Sequence, residues 1–222
     1  MQGAALKLIA AMAAVIPAAI VASGSVASAA TVDFTGAGVA NYDIVAQSYG
    51  DSAEADFSYR TLNGGNNWGQ FATQASDHVD YWADANYSGD QAIFASSNGQ
   101  KLELGLAAGA GLKFTSITID LGSYPNSTRN IAFKLFDAAW KEILGDDLLS
   151  VDGTSGVDTL ITFALNTTSV YFQMGDDWDV GPNSVSFETA KLTATPLPGT
   201  LVMFGSGLAG LFGAYKRRKS VA

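Results

Sequence analysis

The stretch Lys101–Tyr124, KLELGLAAGAGLKFTSITIDLGSY, decides the fold that we predict for this 222-residue chain. Successive side chains of a β-strand point to opposite faces, so apolar residues at every second position predict a strand with one buried face. A helix would instead repeat its apolar residues every three or four positions. The stretch holds two such alternating sets: Leu102, Leu104 and Leu106, and then Ile117, Ile119 and Leu121.

The same alternation recurs along the rest of the chain, between turn segments rich in glycine, asparagine and aspartate. Short strands at this spacing predict an all-β fold, an antiparallel β-sandwich or jelly roll. The further alternating sets are Tyr42, Ile44 and Ala46; Val79 and Tyr81; Ile131, Phe133 and Leu135; Ile161, Phe163 and Leu165; Val170, Phe172 and Met174; and Val185 and Phe187.

The segment FDAAWKEILGDDLL, residues 136–149, fits two patterns. Its apolar residues lie on one face of a helix that Gly145 would end, or on two strands joined by a turn at Asp137–Ala139. Of these two alternatives we favour the two strands.

Composition excludes several kinds of site. The chain has no cysteine and a single histidine, His78, so thiolate metal sites, cysteine nucleophiles and histidine-rich metal clusters are excluded. Residues Thr31–Thr195 hold all 21 acidic residues but only seven of the 12 basic ones, which gives this body a formal charge of −14. Binding a phosphate backbone needs a cationic face, so we expect no nucleic-acid partner.

The first 29 residues have the parts of a secretory signal peptide. A positive charge precedes an apolar run over 8–22, and Ala27-Ser28-Ala29 is a small-x-small site for signal peptidase. We predict a signal helix within 1–29 and cleavage after Ala29 or one residue later. The alternative, a permanent membrane anchor, is disfavoured by Pro17 and the short apolar core.

The last 27 residues have three parts in order: a proline motif, an apolar run and a basic end. The apolar run covers 197–215, roughly 28 Å as a helix, which is enough to cross a bilayer core. The basic end would then stop in the cytoplasm. The motif residues are Pro196, Leu197, Pro198, Gly199 and Thr200, and the basic residues are Lys216, Arg217, Arg218 and Lys219.

This tail resembles a PEP-CTERM sorting domain, in its V-P-L-P-like variant, although Thr195 stands where valine is usual. The resemblance implies a transmembrane helix within 196–222 and processing by an exosortase, an inner-membrane transpeptidase of Gram-negative exopolysaccharide producers. The alternatives are a simple single-span anchor, a sortase signal and a lipid-anchor signal. Leu201 replaces the glycine that the sortase signal requires, and a lipid-anchor signal normally lacks a basic end.

The body, residues 30–195, resembles the ectodomains that commonly carry such a tail. The resemblance rests on QSYGD at 47–51, GLKFTSITIDLGSY at 111–124 and DWDVGPNSVSFET at 177–189. Those ectodomains are similar to galactose-binding-like jelly rolls, the architecture of many carbohydrate-binding modules. The resemblance therefore implies a fold, and a carbohydrate ligand only by analogy.

We expect no enzymatic activity and no required cofactor. No serine lies in a G-x-S-x-G motif, no phosphate loop or dinucleotide fingerprint occurs, and no pair of carboxylates is singled out by its spacing. A structural calcium ion is a candidate, because hard cations bind oxygens in acidic, glycine-rich loops. Its candidate ligands are Asp176, Asp177, Asp179 and Asn183, and the alternative is a set of solvated acidic turns.

Sugar binding uses aromatic rings beside polar groups. In HVDYWADANYSGD the alternation places Trp82 on the polar side of a strand with Asp80, Asp84 and His78. Trp68 lies in the loop NGGNNWGQ, and the sequence leaves Trp140 and Trp178 open. We take Trp68, Trp82, Asp80 and Asp84 as the ligand-binding candidates. The alternative for each tryptophan is partial burial under a neighbouring loop.

Together these features predict an exported protein of the cell surface or extracellular matrix that crosses the inner membrane transiently. Its predicted partners are signal peptidase, an exosortase and an exopolysaccharide. The favoured function is that of a non-catalytic carbohydrate-binding module. The alternatives are a structural biofilm-matrix protein without a specific ligand and a secreted hydrolase.

Overall fold

The computed structural model describes residues 28–35, 39–83, 91–124, 127–154, 157, 159–175 and 179–192. These residues form antiparallel β-strands and one short 3₁₀ helix, Gly69–Phe71, which confirms the all-β prediction. The strands are β1 (Ser28–Asp33), β2 (Ala55–Leu62), β3 (Gln74–Ser76), β4 (Val79–Ala83), β5 (Gln91–Ala95), β6 (Lys101–Ala108), β7 (Leu112–Ser123), β8 (Arg129–Asp137), β9 (Glu142–Val151), β10 (Thr159–Thr167), β11 (Ser169–Met174) and β12 (Val180–Lys191).

The strands form two large sheets in jelly-roll order. The first sheet runs β1-β12-β7-β10 and the second runs β3-β2-β6-β11-β8-β9. When β1 and β6 to β12 are numbered one to eight along the chain, these orders contain 1-8-3-6 and 2-7-4-5, the double Greek key of a jelly roll. Strands β2 and β3 extend the second sheet beyond β6, and β4 and β5 form a separate hairpin.

The core lies between the two sheets and contains residues from all but one of the predicted alternating sets. The prediction for Tyr42, Ile44 and Ala46 is wrong: these residues are exposed and form no strand, and Val45 between them is the buried one. Leu104 on β6 and Ile119 on β7 are fully buried there, together with Leu102, Leu106, Ile117 and Leu121 of the same two strands. The hairpin closes the core from one side, because Val79, Tyr81, Ile93 and Ala95 belong to the same apolar cluster. The stretch 101–124 thus contributes one strand, β6 or β7, to each of the two sheets.

The two-strand prediction for 136–149 is confirmed. Strand β8 ends at Asp137 and β9 begins at Glu142. The Asp137 carboxylate accepts hydrogen bonds from the backbone N–H groups of Ala139 and Lys141, each at 2.9 Å. An aspartate that bonds the backbone of the following residues favours a turn over a helix interior, which explains the outcome.

Both described chain ends lie at one end of the sandwich, which we call the terminal end. Ser28 pairs with Thr189, and the backbone N–H of Leu192 donates to Gly111 at 2.8 Å. At the opposite end, called the far end, the N–H of Tyr124 donates to Asp179 at 2.8 Å. Strand β12 connects the two ends over its 12 residues.

The predicted signal and sorting segments fall mainly outside the described residues. That holds for residues 1–27, including Ala27, and for the whole predicted sorting signal, 196–222. Ser28 and Ala29, placed at the end of the signal peptide by the sequence pattern, begin strand β1. Within the described part of the chain, no helix has the length and apolar character needed to cross a membrane.

Replacing Leu104 by alanine should lower the free energy of unfolding by about 2–5 kcal/mol, because it leaves a cavity between two sheets that cannot fully collapse. The matched control is Leu148→Ala, since Leu148 is also a strand leucine but is 75% exposed. Urea unfolding followed by tryptophan fluorescence measures both. Equal losses in the two variants would contradict the described core.

Candidate functional site

The outward face of the second sheet carries a buried polar row. The Arg60 guanidinium donates to Glu103, with Nε to Oε1 at 2.7 Å, and Gln173 Nε2 donates to the other Glu103 oxygen at 2.7 Å. The Gln173 side-chain oxygen accepts the backbone N–H of Gly69 at 2.8 Å. This row therefore ties the loop between β2 and β3 to the middle of the sheet.

Lys101 holds the same loop at a second point. Its side chain is buried, with 1% of the residue exposed, and its ammonium donates to the carbonyls of Asn63, Gly65 and Asn67. The ammonium also lies 4.8 Å from the centre of the Trp68 ring, within cation–π distance. A buried charge needs such partners, so Lys101 fixes both the loop backbone and Trp68.

Trp68 is half-buried against the sheet rather than free in its loop. The ammonium of Lys134 approaches its ring to 5.9 Å, and a Cβ atom at Gly175 would meet it at 3.1 Å. The ring is thus held by two cations and a closely packed backbone segment. For Trp68 the structure matches the alternative of partial burial, now with named neighbours.

Trp140, which the sequence left open, stacks on a second aromatic residue. Its ring lies 4.3 Å from that of Tyr171, with 12° between the ring planes. Trp140 lies in the Asp137 turn described above and adopts a left-handed φ of 60°. Left-handed φ is rare for a bulky residue and costs about 1–2 kcal/mol, so neighbouring contacts must hold it in place.

Trp68 and Trp140 lie on the same surface. Phe136 links them: a Cβ atom at Gly69, next to Trp68, would meet its ring at 3.0 Å, and the ring lies 6.1 Å from that of Trp140. Lys134 pairs with Glu142 at 3.0 Å on the same face. We call this surface the sheet-face cluster, and its aromatic members are Trp68, Phe136, Trp140 and Tyr171.

Trp82 belongs to a different surface near the far end, which we call the far-end cluster. The rings of Tyr42, Phe94 and Tyr124 surround it at 5.9, 5.4 and 5.3 Å. Tyr42 covers the cluster from the segment before β2 and is 54% exposed, again with a left-handed φ, 68°. Trp82 therefore does not share the contacts of Trp68.

Asp80 lies on the same strand as Trp82 and is largely buried. The alternation predicted a polar, solvent-facing side for this strand, whereas Asp80 is only 7% exposed. A segment distant in sequence lies alongside this strand: Ile44 pairs with Asp80 through an isolated β-bridge, and the backbone N–H of Tyr81 donates to Asp43 at 2.8 Å. Burial raises the pKa of the Asp80 carboxyl, and His78, whose Nε2 is 4.0 Å away, opposes this rise.

The calcium candidates are only partly within the described residues. Asp179 forms an ion pair with Arg129 at 3.1 Å, so its carboxylate has a cationic partner from the protein. Asn183 is buried at an irregularity in the pairing of β12 with β7. In the part of the chain that the structure describes, no three His, Cys, Asp or Glu side chains are grouped as a metal site. Two of the calcium candidates, Asp176 and Asp177, lie outside that part. The same holds for the sugar-binding candidate Asp84 and for Trp178.

Sequence reasoning missed Tyr171 and Lys101. The signal for Tyr171 was available, because Val170 and Phe172 on the core side place Tyr171 on the outward face of β11. Lys101 had no such signal, since its partners at 63–68 come from a loop more than 30 residues earlier.

Comparison with protein families finds a PEP-CTERM protein-sorting motif at residues 194–219. The chain thus carries this motif, as the tail resemblance predicted, over the segment that follows β12. Comparison with curated proteins finds no match.

Solved structures similar to this chain include several with carbohydrate-related names. The CBM35-containing β-(1,4)-mannanase of Podospora anserina is 12% identical, with a TM-score of 0.32. The match covers 65% of this chain and 29% of the mannanase chain. The CBM22-1 xylan-binding domain of Paenibacillus barcinonensis Xyn10C is 10% identical, with a TM-score of 0.25, and the match covers 71% and 99%.

An isomalto-dextranase of Arthrobacter globiformis is 9% identical, with a TM-score of 0.31 and coverages of 72% and 32%. The chain therefore spans about a third or less of the mannanase and the dextranase. Likeness at this level assigns no ligand and no activity.

The burial of Asp80 predicts that the free energy of unfolding depends on pH. A carboxyl whose folded pKa is raised stabilises the fold below its ordinary pKa, about 3.9, and loses that contribution as pH rises through the raised pKa. Asp80→Asn should therefore gain stability relative to the wild type as pH rises from 3 to 7. Urea unfolding across this range measures the difference.

The matched control is Asp77→Asn, which removes an exposed carboxylate beside the same His78. This variant separates the loss of a carboxylate near His78 from the loss of the buried one, because the Asp77 side chain is 89% exposed. A difference for Asp80→Asn that is constant with pH, or that reverses its sign, would contradict the burial argument.

Proposed function

We propose that this protein is an exported, exosortase-processed, non-catalytic carbohydrate-binding protein of a Gram-negative exopolysaccharide producer. Its ligand surface is the sheet-face cluster, and its place is the cell surface or extracellular matrix. The observation that carries the proposal is Trp140, held by the Asp137 turn in a left-handed conformation and stacked on Tyr171.

Aromatic rings bind sugars by covering the C–H faces of the pyranose, while nearby polar groups bond the hydroxyls. The sheet-face cluster offers both kinds of group. Trp140 and Tyr171 are half-buried, so part of each remains open to solvent, and Phe71 in the adjacent 3₁₀ helix is exposed. Lys134 and Glu142 supply a donor and an acceptor beside them.

The strained turn supports a binding role because it fixes the ring before a ligand arrives. Left-handed φ at non-glycine residues clusters at binding and active sites, where the surrounding structure holds it in place. Here the two hydrogen bonds to Asp137 hold the turn, and the Tyr171 ring holds the side chain. A ring that is already ordered loses less entropy on binding.

The polar row of this face is suited to holding structure rather than to catalysis. Glu103 is almost fully buried, and its two carboxylate oxygens bond Arg60 and Gln173. A glycosidase would need two carboxyl groups facing each other across the sugar. The row instead braces the loop that carries Trp68.

The second candidate function is a structural matrix protein without a specific ligand. The body charge of −14 favours it, because a strongly charged surface keeps a protein hydrated and soluble. The two candidates differ in what they demand of Trp140. A structural role tolerates its loss, whereas a binding role does not.

Trp140→Ala should lower the affinity measured by retardation in gels that contain alginate, xylan or mannan by roughly fivefold, because a lost stacking contact is worth about 1 kcal/mol. Leu148→Ala removes an exposed apolar side chain from the neighbouring strand and should leave retardation unchanged. Trp82→Ala tests the far-end cluster in the same gels. Retardation lost in Trp82→Ala but kept in Trp140→Ala would move the site to the far end.

The sorting proposal predicts a shortened mature C-terminus. Mass spectrometry of cell-surface material should find no peptides from 201–222, because processing at the proline motif removes the apolar run and the basic end. In Pro198→Ala these peptides should persist. An intact Ala222 in functional wild-type protein would contradict sorting and leave a simple anchor.

A further inference from the structure

We propose that Phe71 is a second stacking residue beside the sheet-face cluster, and that the ligand is therefore a chain of several sugar units rather than a single sugar. This inference rests on the proposed function, because it takes the Trp140 ring as the first stacking contact. It adds to that function a further binding residue and the length of the ligand.

Phe71 is the most exposed aromatic residue in the described part of the chain. It is 71% exposed, against 54% for Tyr42, and none of the aromatic ring pairs in that part includes it. A large ring left in water contributes little to the fold. Covering it with a ligand would remove apolar surface from water and so favour the complex.

The short helix that carries Phe71 is fixed to the second sheet. The backbone N–H of Gly69 donates to Gln173 Oε1 at 2.8 Å, and Gln173 Nε2 donates to the Gly69 carbonyl at 3.4 Å. Gln173 is fully buried and also donates to Glu103. Gly69 has a left-handed φ of 62°, and a Cβ atom there would meet the Phe136 ring at 3.0 Å, so this close contact requires glycine. The backbone that presents Phe71 is thus ordered before a ligand arrives, which lowers the entropy lost on binding.

Phe71 lies near Trp140 without touching it. Phe136 is the link, because its ring adjoins Gly69 and lies 6.1 Å from the Trp140 ring. Phe71 follows Gly69 by two residues, which is about 4 Å along a 3₁₀ helix. One pyranose covers about one aromatic ring, so a single sugar on Trp140 leaves Phe71 open. A chain that continues past Phe136 reaches both rings.

Competition by sugars of different length tests the proposal on the exported protein. The probe is whichever of alginate, xylan and mannan retards the wild type most in an affinity gel, with its disaccharide and its hexasaccharide as competitors. We expect Phe71→Ala to lower the affinity for the polymer and the hexasaccharide roughly fivefold, because one of two stacking contacts is lost. The affinity for the disaccharide, which stacks on Trp140 alone, should stay unchanged.

Two further variants serve as controls. Leu160→Ala removes an apolar side chain that is 61% exposed on β10 of the other sheet, and it should leave every affinity unchanged. Phe71→Trp keeps a ring and should keep the preference for the hexasaccharide over the disaccharide. Wild-type affinity of Phe71→Ala for the polymer, or equal losses for the two competitors, would overturn the inference.

Trp140→Ala separates this inference from the proposed function. Retardation that is lost in Trp140→Ala and kept in Phe71→Ala overturns the role of Phe71 alone. Retardation that is kept in Trp140→Ala, or a wild type that none of the three polymers retards, overturns both.

Discussion

The candidate binding surface depends on one buried charge. The Lys101 side chain is almost fully removed from the protein surface, and the carbonyls of Asn63, Gly65 and Asn67 and the Trp68 ring lie around its ammonium. Those partners all belong to one loop, and the loop therefore has to lie against the sheet. Breaking this contact would leave an uncompensated charge in the protein, which costs far more than an ordinary surface ion pair.

The two positive-φ residues other than glycine in the described chain are both aromatic, Tyr42 and Trp140. Each lies in a short segment fixed by hydrogen bonds, and each packs on other rings. The ring contacts help to offset the cost of the left-handed backbone at these two residues. This pairing distinguishes the two aromatic clusters from ordinary core packing.

How far the sequence could predict the molecule depends on the range of the interactions. Alternation identified β4, β6, β7, β8, β10, β11 and β12 and the inward faces of β6 and β7, because strand periodicity is local. It did not identify β1, β2, β3 or β5. The Asp137 turn was also local and was predicted. By contrast, Asp80 was expected to face solvent but is buried, and no local pattern connects it to the segment around Ile44 that pairs beside it. The stack of Trp140 on Tyr171 likewise depends on the order of β8 and β11 in the sheet.

The position of β12 between β1 and β7 has a consequence for the order of events during export. A chain that crosses a membrane from its N-terminus delivers this strand last of the twelve, so until then β1 has no partner and the sandwich stays open. Contacts between the first and last strands make such folds slow to close and leave apolar surface exposed meanwhile. The sorting motif begins at residue 194, only a few residues after β12. The last strand and the tail would therefore reach the membrane at nearly the same time. A tail held in the membrane would keep the chain from diffusing away while the sandwich closes.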